Sequence, residues 1–233
     1  MTSRQLAFEL GHRPALGQAD FIVTASNRDA VAWLDRWPDW PAGALAIHGP
    51  AACGKSHLVA VWRSRSNARS LTADDLSGDA LVTHLEAVGH LALDDAEAKL
   101  AAGGRAAEEG LFHLYNALHA RGGSLLLAAT RPPAHWRLEL PDLASRLSAL
   151  PAIAVGQPDD ALIGAVLGKL FADRQLSVDR QVIDYLAFRM ERSFQAARDL
   201  VAALDTEALA RGRAITKSLA AEVLERLAPE DHA

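Results

Sequence analysis

The sequence predicts an α/β domain with a five-stranded parallel sheet, followed by a small all-helical domain. Short apolar runs alternate with segments of helical spacing through the first two-thirds of the chain. The pattern Gly-x-x-x-x-Gly-Lys-Ser occupies 49–56, between one such run and a helical segment. Beyond Pro158 only helical patterns follow.

Residues 1–20 show no steady periodicity and read as a tail leading into the domain. A first helix carries Ala30, Val31 and Leu34 on one face, with Ser26 or Asn27 as its cap. Trp37-Pro38-Asp39-Trp40-Pro41 ends it. The expected strands are Ala44–His48, Ser70–Thr72, His90–Leu93, Ser124–Ala129 and Ala152–Val155, each too short to be a helix. Their unbroken apolar character suits a parallel sheet covered on both faces. Residues 140–147 read as a short helix before the fifth strand. The helical domain, 158–233, follows the α/β domain, 21–157. Its helices are Ala161–Arg174, Asp179–Met190, Ser193–Arg211 and Lys217–Leu227, with Asp179 and Thr216 as caps.

The 233 residues are half hydrophobic and 23% charged, the balance of an ordinary globular protein. No apolar run approaches the roughly 20 residues of a membrane helix, and no signal-peptide pattern opens the sequence. The single cysteine, Cys53, forms no intramolecular disulfide, so a cytoplasmic protein is expected. With 24 basic and 29 acidic residues the net charge is −5, which argues against strong direct DNA binding. The nine histidines show no metal-ligand spacing.

The chemistry centres on Gly49, Pro50, Ala51, Ala52, Cys53, Gly54, Lys55 and Ser56, with His57 opening the following helix. Glycines allow a loop whose N–H groups converge on phosphate oxygens. Lys55 would reach the β and γ phosphates of ATP, and Ser56 would donate a hydroxyl ligand to Mg²⁺. Cys53 is expected to pack rather than to act as a redox switch. A loop of this kind predicts an acidic strand end. Asp94 supplies it as a ligand to Mg²⁺ through water, and Asp95 would orient the attacking water. Asp95 is one methylene shorter than a glutamate, so slow turnover is expected. Thr130 ends the strand between and would sense the γ-phosphate or its water. Arg146, on the short helix, has the character of an arginine finger or of a surface ion pair.

The pair Asp94-Asp95, the stretch Leu111-Phe112-His113-Leu114-Tyr115-Asn116, the turn Thr130-Arg131-Pro132-Pro133 and Leu140-Pro141-Asp142-Leu143-Ala144-Ser145-Arg146-Leu147 together carry a family resemblance. From Phe21 to Leu227 the chain resembles the AAA+ module of the bacterial replication initiator DnaA, and still more its shorter Hda-type regulatory homologues. The resemblance implies an AAA+ P-loop core with a helical lid and makes Arg146 the matched finger position, promoting hydrolysis of ATP on the initiator. Gln5-Leu6-Ala7-Phe8 resembles the peptide with which Hda-type proteins bind the DNA polymerase sliding clamp. Leu6 and Phe8 would anchor in an apolar pocket while Gln5 bonds at its rim. The residues after Phe8 depart from the family's Leu-Pro-Leu pattern. At the lid position of the initiator's arginine stands Gln195, with Arg192 and Arg198 three residues either side, close on a helix face, as substitutes. If neither reaches the site, ADP is held as well as ATP.

Initiators carry a further N-terminal domain and a C-terminal helix-turn-helix domain, and neither is expected here. The sequence thus points to a nucleotide-bound regulator with weak intrinsic ATPase activity, acting on DnaA and the clamp. Self-association through its AAA+ site is also plausible. Other readings are an initiation adaptor, a helicase loader, or a stand-alone P-loop ATPase or kinase.

Overall fold

The computed structural model describes residues 22–86 and 89–227. Two compact units divide the chain. Of the described residues, one holds 22–23 and 27–156; the other holds Thr24–Ser26 and 157–227.

The first unit is built on a five-stranded, all-parallel sheet in the order β2-β3-β4-β1-β5. Its strands are β1 (Ala44–His48), β2 (Arg69–Ser70), β3 (His90–Leu93), β4 (Ser124–Ala129) and β5 (Ala152–Ala154). Five helices accompany them: α1 (Arg28–Asp35), α2 (Lys55–Ser66), α3 (Gly78–Glu86), α4 (Ala96–Arg121) and α5 (Pro141–Ser148). Central strands β1, β3 and β4 are apolar almost throughout because both faces are covered. Alternate side chains enter different layers. Ala44, Ala46, Leu91, Leu93, Leu125 and Leu127 pack with apolar residues of α4 and α5. Leu45, Ile47, Ala92, Leu126 and Ala128 pack with those of α1 and α2. Edge strands β2 and β5 are short and exposed.

Three local expectations are corrected. The second strand pairs Arg69 and Ser70 with Leu91 and Ala92, rather than running to Thr72. Thr72 leaves the ladder because its N–H and its hydroxyl both donate to the Asp75 carboxylate, each at 2.7 Å. A side-chain turn of this kind competes with strand pairing. Asn27 occupies the N-cap of α1 without capping it, and its amide donates instead to Ile22 O at 2.9 Å. The fifth strand ends at Ala154; Val155 still donates from its N–H to His48 O.

The second unit is helical, with α6 (Asp160–Asp173), α7 (Arg180–Arg189), α8 (Phe194–Arg211) and α9 (Lys217–Leu227). Each helix begins at a side-chain acceptor. The Asp159 carboxylate accepts from Leu162 N, Asp179 from Gln181 N, Ser193 Oγ from Ala196 N and Thr216 Oγ1 from Leu219 N. The core combines Ile163, Leu167, Phe171, Leu186, Val201 and Leu204 from the first three helices with Ala220 and Val223 from the last. Phe171 is fully buried there. Phe171→Ala is therefore expected to destabilise this unit by ~3–5 kcal/mol, read from denaturant unfolding of the full chain. A midpoint unchanged from wild type would show that the helices do not depend on this core.

Candidate phosphate site and an exposed arginine

Parallel strands bring their C-terminal ends to one edge, and the register decides which residues meet there. His48 pairs with Ala129, and Leu93 pairs with Leu127. Gly49, Thr130 and the Asp94-Asp95 pair thus leave the sheet at the same edge. Gly49 donates from its N–H to Ala129 O at 3.2 Å.

On its other side Gly49 lies so close to the chain leaving β5 that a Cβ would stand 2.2 Å from Val155 O. Only glycine fits this passage. The loop then turns with Ala52 at φ +57° and Gly54 at φ +102°, which also serves as N-cap of α2. As N-cap, Gly54 has no side chain to offer α2, so the leading N–H groups of the helix face the loop without a cap from that position.

Lys55 is 7% exposed, and its ammonium donates to Gly49 O at 2.9 Å and Pro50 O at 2.7 Å. Cys53 Sγ lies 3.8 Å away, and no carboxylate among the described residues pairs with the ammonium. A buried ammonium without a counter-ion costs roughly several kcal/mol. An anion entering the loop would relieve that cost, so the residues fit a phosphate group. Cys53 itself is buried in the core formed with α1 and α2, consistent with a packing role. Next to the loop, burial pushes the His48 imidazole below its ordinary pKa, and the nearby His135 and Lys55 push in the same direction. A neutral His48 adds no second charge beside Lys55.

Asp94 is half-buried and accepts from Asp95 N at 3.0 Å. Asp95 is exposed, sits in the left-handed region at φ +49°, and opens α4 without its carboxylate capping it. Ser56 and His57 are exposed on the first turn of α2, as are Pro50, Ala51 and Ala52 on the loop. These side chains suit a hydrated divalent cation and its phosphate ligand, with Ser56 and Asp94 as the oxygen donors. Thr130 is exposed at the end of β4.

A contact the sequence did not announce braces this edge. Arg131 Nε donates to Glu97 Oε1 at 3.0 Å, and a second, shorter guanidinium bond joins the same pair. It links the turn after β4 to the first turn of α4, flanking Thr130 on one side and Asp95 on the other. Residues 34 positions apart carry no spacing signal, so only the folded edge reveals the pair.

Arg146 is exposed on α5 and forms no ion pair with a carboxylate among the described residues. Its guanidinium lies 5.3 Å from the Phe112 ring and 5.8 Å from Tyr115, both on α4. α5 itself is held from below: the buried Glu108 carboxylate accepts from Glu139 N and Leu140 N.

The three lid candidates belong to the helical unit and have partners within it. Arg192 precedes α8 rather than sharing its face with Gln195, and pairs with Asp160 at 2.8 Å. Gln195 donates to Asp199 and accepts from Arg198, each at 2.8 Å. Gln5, Leu6 and Phe8 lie outside the described residues.

Comparisons with known proteins agree with this geometry. No protein-family model matches the chain. It is 28% identical over 253 residues to the chromosomal replication initiator DnaA of Thermomicrobium roseum, covering 95% of this chain and 53% of the relative. It is 27% identical over 236 residues to DnaA of Caulobacter vibrioides, covering 90% and 47%. The chain spans about half the length of the curated relatives it matches. Domain III of the Thermotoga maritima DnaA superposes with a TM-score of 0.76 at 18% identity, covering 90% of this chain and 96% of that one. A DnaA bound to AMPPCP and single-stranded DNA gives 0.65 at 22%, covering 88% and 69%. The Holliday junction branch migration motor RuvB of Thermotoga maritima gives 0.62 at 15%, covering 79% and 62%. The fold is therefore that of an AAA+ module. Within that class it is replication-initiator-like: the sequence likeness runs to DnaA, and DnaA domain III superposes over nearly the whole chain.

Among the described residues no helix is long and apolar enough to cross a membrane. No group of three or more metal-ligating side chains occurs among them either.

Lys55→Met removes a buried, unpaired charge while keeping its volume. The nucleotide-free variant is expected to unfold at the same temperature as wild type or higher, while ADP and ATP affinity falls about tenfold to a hundredfold, the loss of charge-assisted bonds. Differential scanning and titration calorimetry measure the two; full nucleotide affinity in the variant would overturn the assignment of the loop.

Proposed function

We propose that this chain is an Hda-type regulator of chromosomal replication that promotes hydrolysis of ATP bound to the initiator DnaA. It would hold ADP or ATP on Gly49–Ser56, with Mg²⁺ on Ser56 and, through water, Asp94. Asp95 and Thr130 would address the attacking water, and the shorter carboxylate of Asp95 makes intrinsic turnover slow. The helical unit would serve as the lid, with Gln195, Arg192 or Arg198 toward the nucleotide. The consequential hydrolysis would occur on the partner.

The observation that carries this reading is the placement of Arg146. Its guanidinium is exposed, pairs with no carboxylate among the described residues, and rests on two aromatic rings that leave its N–H groups available to an anion. The initiator-like sequence and fold supply the partner class. In this reading the chain docks on the DNA polymerase sliding clamp through Gln5, Leu6 and Phe8. Direct DNA contact is not required of it. The net charge of −5 supports that part, although a solved DnaA holds single-stranded DNA.

Arg146→Ala should bind ADP and the clamp like wild type, yet lose at least about a hundredfold of its stimulation of DnaA-bound ATP hydrolysis, the order expected of a transition-state arginine. Full stimulation by the variant, measured by phosphate release under single-turnover conditions, would place the trans-acting group elsewhere. An initiation adaptor or helicase loader would show no stimulation in the wild type either.

Clamp docking is tested separately. The double substitution Gln5→Ala with Leu6→Ala should weaken clamp capture by about tenfold or more, as for loss of an anchor residue, with nucleotide binding intact. Equal capture by pull-down would sink the role given to the tail.

A further inference from the structure

Among the residues whose burial is described, Lys55 and Glu108 are the buried Asp, Glu, Lys or Arg side chains. Lys55 is accounted for by the phosphate loop. Glu108 is 3% exposed on α4 and has no cationic partner among the described residues. Charged side chains are rarely buried unless paired, so its location calls for a specific contact.

That contact is the start of α5. Glu108 Oε2 accepts from Glu139 N at 2.9 Å and from Leu140 N at 2.8 Å, and Oε1 accepts from Glu139 N at 3.1 Å. Leu140 is the N-cap of α5 and offers no side-chain acceptor, while Pro141 at the first helical position has no N–H. The capping group thus comes from another helix, 32 residues earlier. A carboxylate at this end also complements the positive end of the helix dipole.

The same stripe of α4 grips α5 a second time. Phe112 and Tyr115 follow Glu108 at i+4 and i+7, which places the three along one face of the helix. The two rings lie under the Arg146 guanidinium. Leu143 and Leu147 of α5 are fully buried between these contacts. Glu108 therefore fixes where α5 begins, and the aromatic pair fixes where its arginine ends.

We infer that Glu108 is a positioning residue for Arg146: its buried carboxylate clamps the two backbone N–H groups that lead into α5 and so sets the direction in which the guanidinium is presented to the partner's phosphate. This inference rests on the trans action proposed for Arg146. Its acceptor role needs one oxygen in the Oε2 position, because that atom alone reaches both N–H groups. Glu108→Gln can supply such an oxygen. Glu108→Met keeps the volume and accepts nothing.

The full chain is compared in both variants by amide hydrogen exchange and by stimulation of DnaA-bound ATP hydrolysis on the clamp. In Glu108→Met, protection at the Glu139 and Leu140 amides is expected to fall about tenfold or more, with β1 and β4 amides and ADP affinity unchanged. The maximal stimulated rate at saturating protein should fall by about tenfold, the mark of a mis-set transition-state contact. Glu108→Gln should stay within about threefold of wild type in both measurements.

Retained stimulation in Glu108→Met despite lost protection would overturn the inference, as would retained protection at both amides. If Glu108→Met does not fold, Glu108→Gln decides: loss of protection or of stimulation in that variant overturns it, and retention of both supports it. Full stimulation by Arg146→Ala would instead sink the reading beneath it. Amide protection then still decides whether Glu108 holds α5.

Discussion

Two buried charges without counter-ions among the described residues set the terms of the first unit. Among the described residues Lys55 donates to two carbonyl oxygens and, at longer range, to Cys53 Sγ, while Glu108 accepts from backbone N–H groups. A core of this size packs more cheaply with apolar side chains at both positions. Each charge instead ties one backbone segment in place. Lys55 draws the loop after β1 inward, and Glu108 fixes the approach to α5. The sheet is the common frame, since β1 and β4 feed the loop edge while α4, lying on one face, carries the glutamate.

The phosphate loop shows how strongly a local motif depends on distant chain. Gly49 and Gly54 belong to one pattern but serve different physical needs. Gly54 takes a positive φ to launch α2, whereas Gly49 is required by the passage of Val155, more than 100 residues later. The β1–β5 pairing that brings Val155 there is a three-residue contact at the sheet edge. A short, exposed strand therefore helps determine the shape of the site.

Periodicity made the strands and the helical unit legible from sequence, because burial on both faces leaves unbroken apolar runs and capping leaves Asp179 and Thr216 at helix starts. The loop was legible because its chemistry is contiguous. Errors arose where a side chain outcompeted the local pattern. Asp75 captured Thr72 and shortened β2, and Asn27 turned its amide to Ile22 O instead of capping α1. Two contacts were out of reach altogether. The Arg131–Glu97 brace and the Glu108 clamp join residues more than 30 positions apart. A lone glutamate amid Ala107, Leu111 and Leu114 was the available hint for the second. Without the turn at 139–140 in view, it could not be told from a partly solvated residue at the edge of a helix face.

The partners of the arginines separate braces from groups able to act on another molecule. Arg131 donates two bonds to one carboxylate, and taking it away would strand Glu97 beside the acidic pair. Arg192 is similarly engaged with Asp160. Arg146 rests on ring faces, a contact worth only about 0.5–1 kcal/mol at an exposed site, and one that leaves the guanidinium edge open. Moving such a group onto a phosphate sacrifices little, whereas moving a paired one forfeits an ion pair. An arginine weakly held at its tip and firmly held through its helix combines low reorganisation cost with a defined direction. Preorganisation of that kind is what a transition-state contact requires.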